Sequence, residues 1–266
     1  MKLGLALPSF VDDPEIPIGV ALAAQDAGLD GVFVYDHLWR GRPPARRPAL
    51  ECFALAGAIA AETTTISVGT LVARATLRPP ATLAASFDAL HRVSGGRLIA
   101  AIGAGDSESR AENEAYGLAF GTVEDRVGAL RAAVDASRGR GYPVWVGGHH
   151  RRVRHVVGIA DGWNGWGGDV RRFAREAASV RQVAADATLT WGGLALVGHD
   201  DAHVAEKAAR LRPGPGVLTG GPEVVAGTLR GYRDVGAAWA ILAALDATDP
   251  ENARILGSSV RPLLAG

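Results

Sequence analysis

Short apolar runs alternate with helix-forming stretches from one end of this chain to the other, and that alternation limits the fold more than any other feature. The runs fall at 3–7, 31–35, 65–72, 98–102, 143–146, 161–164, 189–197 and 239–242. Most of them lack a polar face, as expected of parallel strands covered on both sides. Strand–helix alternation implies parallel neighbours joined by right-handed crossovers. Eight such units predict an α/β protein, a (β/α)8 TIM barrel forming one domain over residues 1–266. An open doubly wound sheet is the alternative. With 266 residues, 48% of them hydrophobic, the chain can fill one large core.

The stretch around the fourth run shows how the elements are punctuated. Pro79 and Pro80 suit a first helical turn, where a missing N–H costs nothing. Leu83, Phe87 and Leu90 form one apolar stripe, and Ser94-Gly95-Gly96 ends the helix. The strand 98–102 then runs into Gly103-Ala104-Gly105-Asp106. Small residues there either turn the chain or let a ligand approach the backbone. The polar segment 107–121 is the longest break in the alternation. Thr122 caps the next helix, whose face is Val123, Val127, Leu130 and Val134. Pro143-Val144-Trp145-Val146 leads to Gly147-Gly148, immediately before another helix start. Asp200 or Asp201 caps a helix to Leu211, and Pro222 opens one through Val235.

Other readings are excluded by composition. The formal net charge is zero, which argues against a nucleic-acid footprint. Cys52 is the only cysteine, so no intrachain disulfide or thiolate cluster is available. The longest apolar run, 52–61, is too short to span a bilayer, and the opening KLGLALP is interrupted at Pro8 too early for a secretion leader. A cytoplasmic protein without a membrane partner is the expectation. His199 and His203 have the i, i+4 spacing of a zinc pair, but Asp200 and Asp201 between them read better as helix caps, so no metal is predicted. Neither a Walker loop nor a Gly-x-Ser-x-Gly elbow occurs.

In a barrel the loops after the strands meet at one mouth. That gathers Asp36 and His37, Gly69, Thr70, Leu71 and Val72, Gly103 and Ala104, Gly147 and Gly148, and Asn164. The helix start after Gly148 offers free N–H groups and a dipole suited to a phosphate. His37 can exchange protons near neutral pH, or can be a histidine satisfied within a capped loop. Arg151, Arg152 and Arg154 form a solvated helix face or help hold an acidic tail; Arg74 and Arg78 are similar candidates at the third-strand exit. Tryptophans other than Trp39 read as core or barrel rim.

These residues resemble a known family. SGGRLIAAIGAGD (94–106) is similar to the fourth-strand signature of the bacterial-luciferase-like flavin- and deazaflavin-dependent oxidoreductases. VYDHLW (34–39), VGTLVARATLRPPATLA (68–84), PVWVGG (143–148) and ADGWN (160–164) follow in the family's order. The resemblance implies an oxidoreductase barrel that binds coenzyme F420, or alternatively FMN, at its C-terminal mouth, with a small-molecule substrate and a possible homodimer. It implies a phosphate on Gly147 and Gly148 near Asn164, a ring backed by a cis Leu71–Val72 peptide bond, and Gly103 and Ala104 facing that ring. The Asp-His pair of the F420 branch matches Asp36 and His37, with His37 as the acid or base, and the family's following tryptophan matches Trp39. The alternatives are an FMN monooxygenase using oxygen and a non-catalytic flavin-binding barrel. A barrel hydrolase would need paired carboxylates, and only isolated Asp36 and Asp106 are available.

Overall fold

A computed structural model of the chain describes residues 1–40, 47–106 and 109–264. Eight parallel strands close on themselves: β1 Lys2–Ala6, β2 Gly31–Val34, β3 Ser67–Arg74, β4 Leu98–Gly103, β5 Val144–Gly147, β6 Gly162–Trp166, β7 Thr188–Val197 and β8 Trp239–Ala244. β1 pairs with β2 and β8 (Leu5 opposite Val32 and Leu242), and β6 with β7 (Asn164 opposite Thr190), so the ring has no open edge. The closed barrel, rather than the open sheet, is the architecture.

Each strand is followed by helix, as the apolar stripes require: α1 Glu15–Asp26, α2 Cys52–Glu62, α3 Pro80–Val93, α4 Ser109–Ala115, α5 Val123–Ser137, α6 His150–Val157, α7 Val170–Arg181, α8 Asp201–Leu211 and α9 Pro222–Asp234. A helical segment over 251–263, with a π-helical stretch at Ile255–Val260, ends the described chain. Thr122 and Asp125 form a reciprocal capping box at the start of α5, and Asp200, not Asp201, caps α8 through the His203 N–H.

Two elements fall outside the eight-unit pattern. Leu218–Gly220 pairs with the end of β7 outside the ring, and Trp39–Arg40 pairs with Arg47–Pro48 as a small antiparallel ribbon. Most of the Pro/Arg-rich loop read between them, 41–46, lies outside the described residues. The polar segment after β4 is not all loop, since it holds α4; positions 107 and 108 are outside the described residues.

The barrel interior is plugged by aromatic rings. Phe33 lies 6.0 Å from Trp145 and 5.9 Å from Trp239, and the two tryptophans are 5.6 Å apart. Such pairs add about 0.5–1.5 kcal/mol each beyond their buried area. Strand glycines make the room. A Cβ at Gly31 would come within 2.9 Å of Trp239, and one at Gly69 within 2.8 Å of Phe33. These glycines therefore serve packing. The aliphatic core fills the layer between strands and helices.

Candidate active site

A cleft of about 450 Å³ opens at the C-terminal mouth of the barrel. Asp36, His37, Leu71, Val72, Gly103, Ala104, Gly147, Gly148 and Asn164 all line it. Gly69 and Thr70 do not: they lie lower in β3, Gly69 against Phe33 and Thr70 with its Oγ1 donating to Ala101 O at 2.7 Å. A strand rises about 3.3 Å per residue, so two positions are enough to move a group from floor to plug.

Charged groups at the mouth form one network. His37 Nδ1 is 2.8 Å from Oε1 of Glu112 on α4. Oε2 of the same carboxylate accepts from the Leu38 N–H at 2.9 Å and from Arg74 Nη2 at 2.9 Å. Arg74 is 3% exposed; its backbone N–H donates to Asp36 Oδ2 at 2.8 Å and its Nε to Asp36 O at 2.7 Å. Arg78 adds a two-pronged pair to Asp36, and also binds Glu51. Arg74 and Arg78 are therefore spent on internal carboxylates and are not available to hold an acidic tail. Asp36 is 2% exposed with both oxygens occupied, so its carboxylate faces protein; it anchors the β2 exit. Burial pushes the Glu112 carboxyl up, but the His37, Leu38 and Arg74 contacts outweigh it and hold the group below the usual carboxylate range. An ionised carboxylate only accepts, so Nδ1 carries the imidazole proton and Nε2 is the nitrogen that exchanges one.

The Leu71–Val72 peptide bond is cis. Val72 lies against both Gly103 and Gly147, where an added Cβ would collide with its side chain. The two glycines thus make space for Val72, which with Leu71 forms an apolar floor above the aromatic plug. At one end of this floor, Gly148 has φ +136°, a conformation that glycine tolerates, and its carbonyl accepts from the Trp163 indole at 3.0 Å. α6 begins directly after it.

The same cleft is lined by Arg126 of α5. It is 7% exposed and packs its guanidinium 4.1 Å from the centroid of Phe120. Nη1 donates to Gly121 O at 3.2 Å, while Nε has no acceptor and no carboxylate pairs with the group among the described residues. A buried cation without a counter-ion is costly, and a cleft ligand bearing a phosphate would supply one. A flat apolar floor, a helix N-terminus and an orphaned arginine fit a phosphorylated, ring-bearing cofactor.

The comparisons with known proteins give the family and the fold. Residues 1–214 match the family model described as luciferase-like monooxygenase. This chain belongs to the luciferase-like monooxygenase family. An F420-dependent glucose-6-phosphate dehydrogenase of Nakamurella multipartita is 34% identical over 122 residues, 44% of this chain and 33% of that protein. Its counterpart in Beutenbergia cavernae is 33% identical over 140 residues, 50% of this chain and 39% of that one. The matched stretches thus span well under half of these relatives' length. Among solved structures, an F420-dependent secondary alcohol dehydrogenase bound to an F420–acetone adduct has a TM-score of 0.81 at 15% identity, covering 99% of this chain and 98% of that one. An EDTA monooxygenase from Chelativorans has a TM-score of 0.81 at 16% identity, covering 100% and 93%. Both likenesses are likenesses of fold.

Two residues of this luciferase-like chain escaped the sequence reading. Glu112 sits in a segment without periodicity, where nothing separates one acid from its neighbours. Arg126 did leave a signal: it is three positions after Val123, a charge next to Val127 on an otherwise apolar stripe. Trp39 lies outside the cleft lining, 8% exposed and stacked on Tyr116 at 5.7 Å. Of the two histidines with zinc-like spacing, His203 turns its Nδ1 to the His199 N–H, and His199 Nε2 lies 3.0 Å from Glu251.

Proposed function

We propose that the protein is an F420-dependent oxidoreductase acting on a small organic substrate, with His37 moving the proton that accompanies hydride transfer. The observation that carries this reading is the His37–Glu112 pair beside the Leu71–Val72 floor. Bound F420 would supply the hydride chemistry. Leu71 and Val72 would support its ring, Gly103 and Ala104 at the end of β4 would face it, and Gly147, Gly148, Asn164 and Arg126 would hold its phosphate. His37 Nε2 takes a proton from, or returns one to, the substrate's oxygen, while Glu112 fixes the ring orientation and balances the imidazolium. Names of the curated relatives and the Asp36-His37 motif favour F420 over FMN.

The test is parallel titration of the purified protein with F420 and with FMN, read by fluorescence. Saturable tight binding of F420 with weak FMN binding supports the proposal. The reverse preference, with oxygen consumption by the reduced flavin complex, would overturn it in favour of an FMN monooxygenase. FMN remains the second reading because the fold likeness to an EDTA monooxygenase equals that to the F420 enzyme.

A further inference from the structure

The side of the mouth that faces the cis bond is apolar. In the closed ring β7 stands four strands from β3 in either direction, so it looks across the opening at the Leu71–Val72 floor. Two contacts fix its inward face. Thr190 Oγ1 accepts from Asn164 Nδ2 at 2.8 Å, and Gly192 lies against the ring of Trp166, where an added Cβ would come within 2.8 Å of it. Strand alternation puts Leu194 on the same face, opposite Ala243 of β8. Trp166 lines the cleft, Leu194 stands just beyond the lining, and both are exposed. At the β1 exit the Phe10 ring lies 5.8 Å from His37, so the apolar arc ends at the histidine. Large apolar side chains gathered on one inward face of a cleft differ from apolar residues scattered over a surface, which need no explanation.

The charges around this arc have one sign. The segments leaving β1, β6, β7 and β8, residues 7–14, 167–169, 198–200 and 245–250, carry Asp12, Asp13, Asp169, Asp200, Asp246 and Asp249 and no lysine or arginine. The first three residues of the helices that follow add only Arg171 and Arg172 as cations, and Arg172 is paired with Glu176. Lys207, further along α8, is buried against Asp246. In a chain of zero formal net charge, this rim is an acidic sector, and an anion approaching it meets repulsion.

Resting on the oxidoreductase reading above, we infer that the β7 side of the mouth is the substrate wall, where Trp166 and Leu194 select an uncharged, largely apolar alcohol, or the carbonyl compound it forms, against sugar phosphates and other anions. A substrate between this wall and the occupant of the Leu71–Val72 floor lays its carbon skeleton on Trp166 and Leu194 and turns its oxygen towards His37. In the oxidising direction the carbinol C–H bond breaks with its electron pair leaving as hydride to F420, the O–H proton passes to His37 Nε2, and the C=O bond forms. The reverse reduces the carbonyl. A phosphate on the substrate would have to give up water in the acidic sector without a cation to receive it, which is costly.

The test measures kcat/KM at saturating F420 for 2-propanol, cyclohexanol, benzyl alcohol and glucose 6-phosphate, on the wild type and on Leu194→Lys and Trp166→Ala, with F420 titrations of all three proteins. In the wild type the best uncharged alcohol should exceed glucose 6-phosphate by about 10²-fold. Each variant should lower kcat/KM for that alcohol by about tenfold, and Leu194→Lys should narrow its advantage over the phosphate further by placing a cation on the wall. Retained F420 binding by Leu194→Lys shows that this variant is folded. A wild-type preference for glucose 6-phosphate, no turnover of any of the three alcohols by the F420-bound protein, or a ratio that does not move in Leu194→Lys overturns the inference and leaves the cofactor reading intact. Failure of F420 to bind the wild type overturns the reading on which it rests.

Discussion

Nδ1 of His37 lies 2.8 Å from Oε1 of Glu112, a residue 75 positions further along the chain and on the helix α4 that follows a different strand. The contact decides which nitrogen of the imidazole can do chemistry. On the proposed role of His37, His37→Ala should lower kcat for F420-dependent hydride transfer by about 10²–10⁴-fold while F420 binding persists. Glu112→Gln should give a smaller loss of kcat, because an amide can offer Nδ1 either an oxygen or an NH₂ and no longer fixes the tautomer. Steady-state kinetics with F420 titrations on both variants checks this. Full turnover by His37→Ala would remove the histidine from the mechanism.

The same carboxylate carries a prediction in acid. Glu112 titrates lower in the folded protein than in the unfolded chain, so its contribution to stability is fully present above the unfolded value, near pH 4.3, and is lost as pH falls through the folded one. The wild type should therefore lose more Tm between pH 6 and pH 3.5 than Glu112→Gln, which has no such group to protonate. Thermal melts across that range, followed by circular dichroism, measure the difference. Parallel declines would show that other carboxylates govern acid stability.

Val72 and the two glycines beneath it should be energetically coupled. Gly103→Ala places a methyl group where the Val72 side chain already is, and overpacking of this kind costs about 1–3 kcal/mol. Val72→Ala clears the space, so the double variant should recover most of that loss. Urea denaturation of the two single variants and the double gives the coupling energy. Simple additivity would mean that Gly103 is needed for something other than room.

A buried ion pair holds α8 to the chain after β8. Lys207, 2% exposed, places Nζ 2.8 Å from Asp246 Oδ2 and 3.0 Å from Asn252 Oδ1. Lys207→Met leaves the Asp246 carboxylate largely uncompensated and should cost about 3–5 kcal/mol. Lys207→Met combined with Asp246→Leu should be markedly milder than the first change alone. Equilibrium unfolding of both variants tests this; equal destabilisation would mean that packing, not charge, dominates the site.

The barrel was legible because its strands are buried on both faces, and an unbroken apolar run such as 98–102 or 239–242 leaves few alternatives. The mouth followed from topology, since strand exits must converge once the ring closes. What escaped was short or polar. Leu218–Gly220 is too brief to carry a period, and α4 hides in a segment with no apolar stripe, so its Glu112 could not be singled out. β3 was read as ending at Val72, yet it continues to Arg74, a charged residue that a strand admits only because Asp36 and Glu112 pair with it. The cis bond at Leu71–Val72 came through the family resemblance, and the backbone there agrees with it.

Arg74 holds the β2 exit through the Asp36 backbone and side chain, and holds α4 through Glu112 and Asn113. One guanidinium therefore staples two walls of the cleft together, whereas among the described residues no side chain of β7 or β8 lines it. A lineage or an engineer seeking new substrates can lengthen and exchange the segments on the unstapled side cheaply. Insertions between β4 and α4 must keep the staple in register or lose the His37–Glu112 contact along with it.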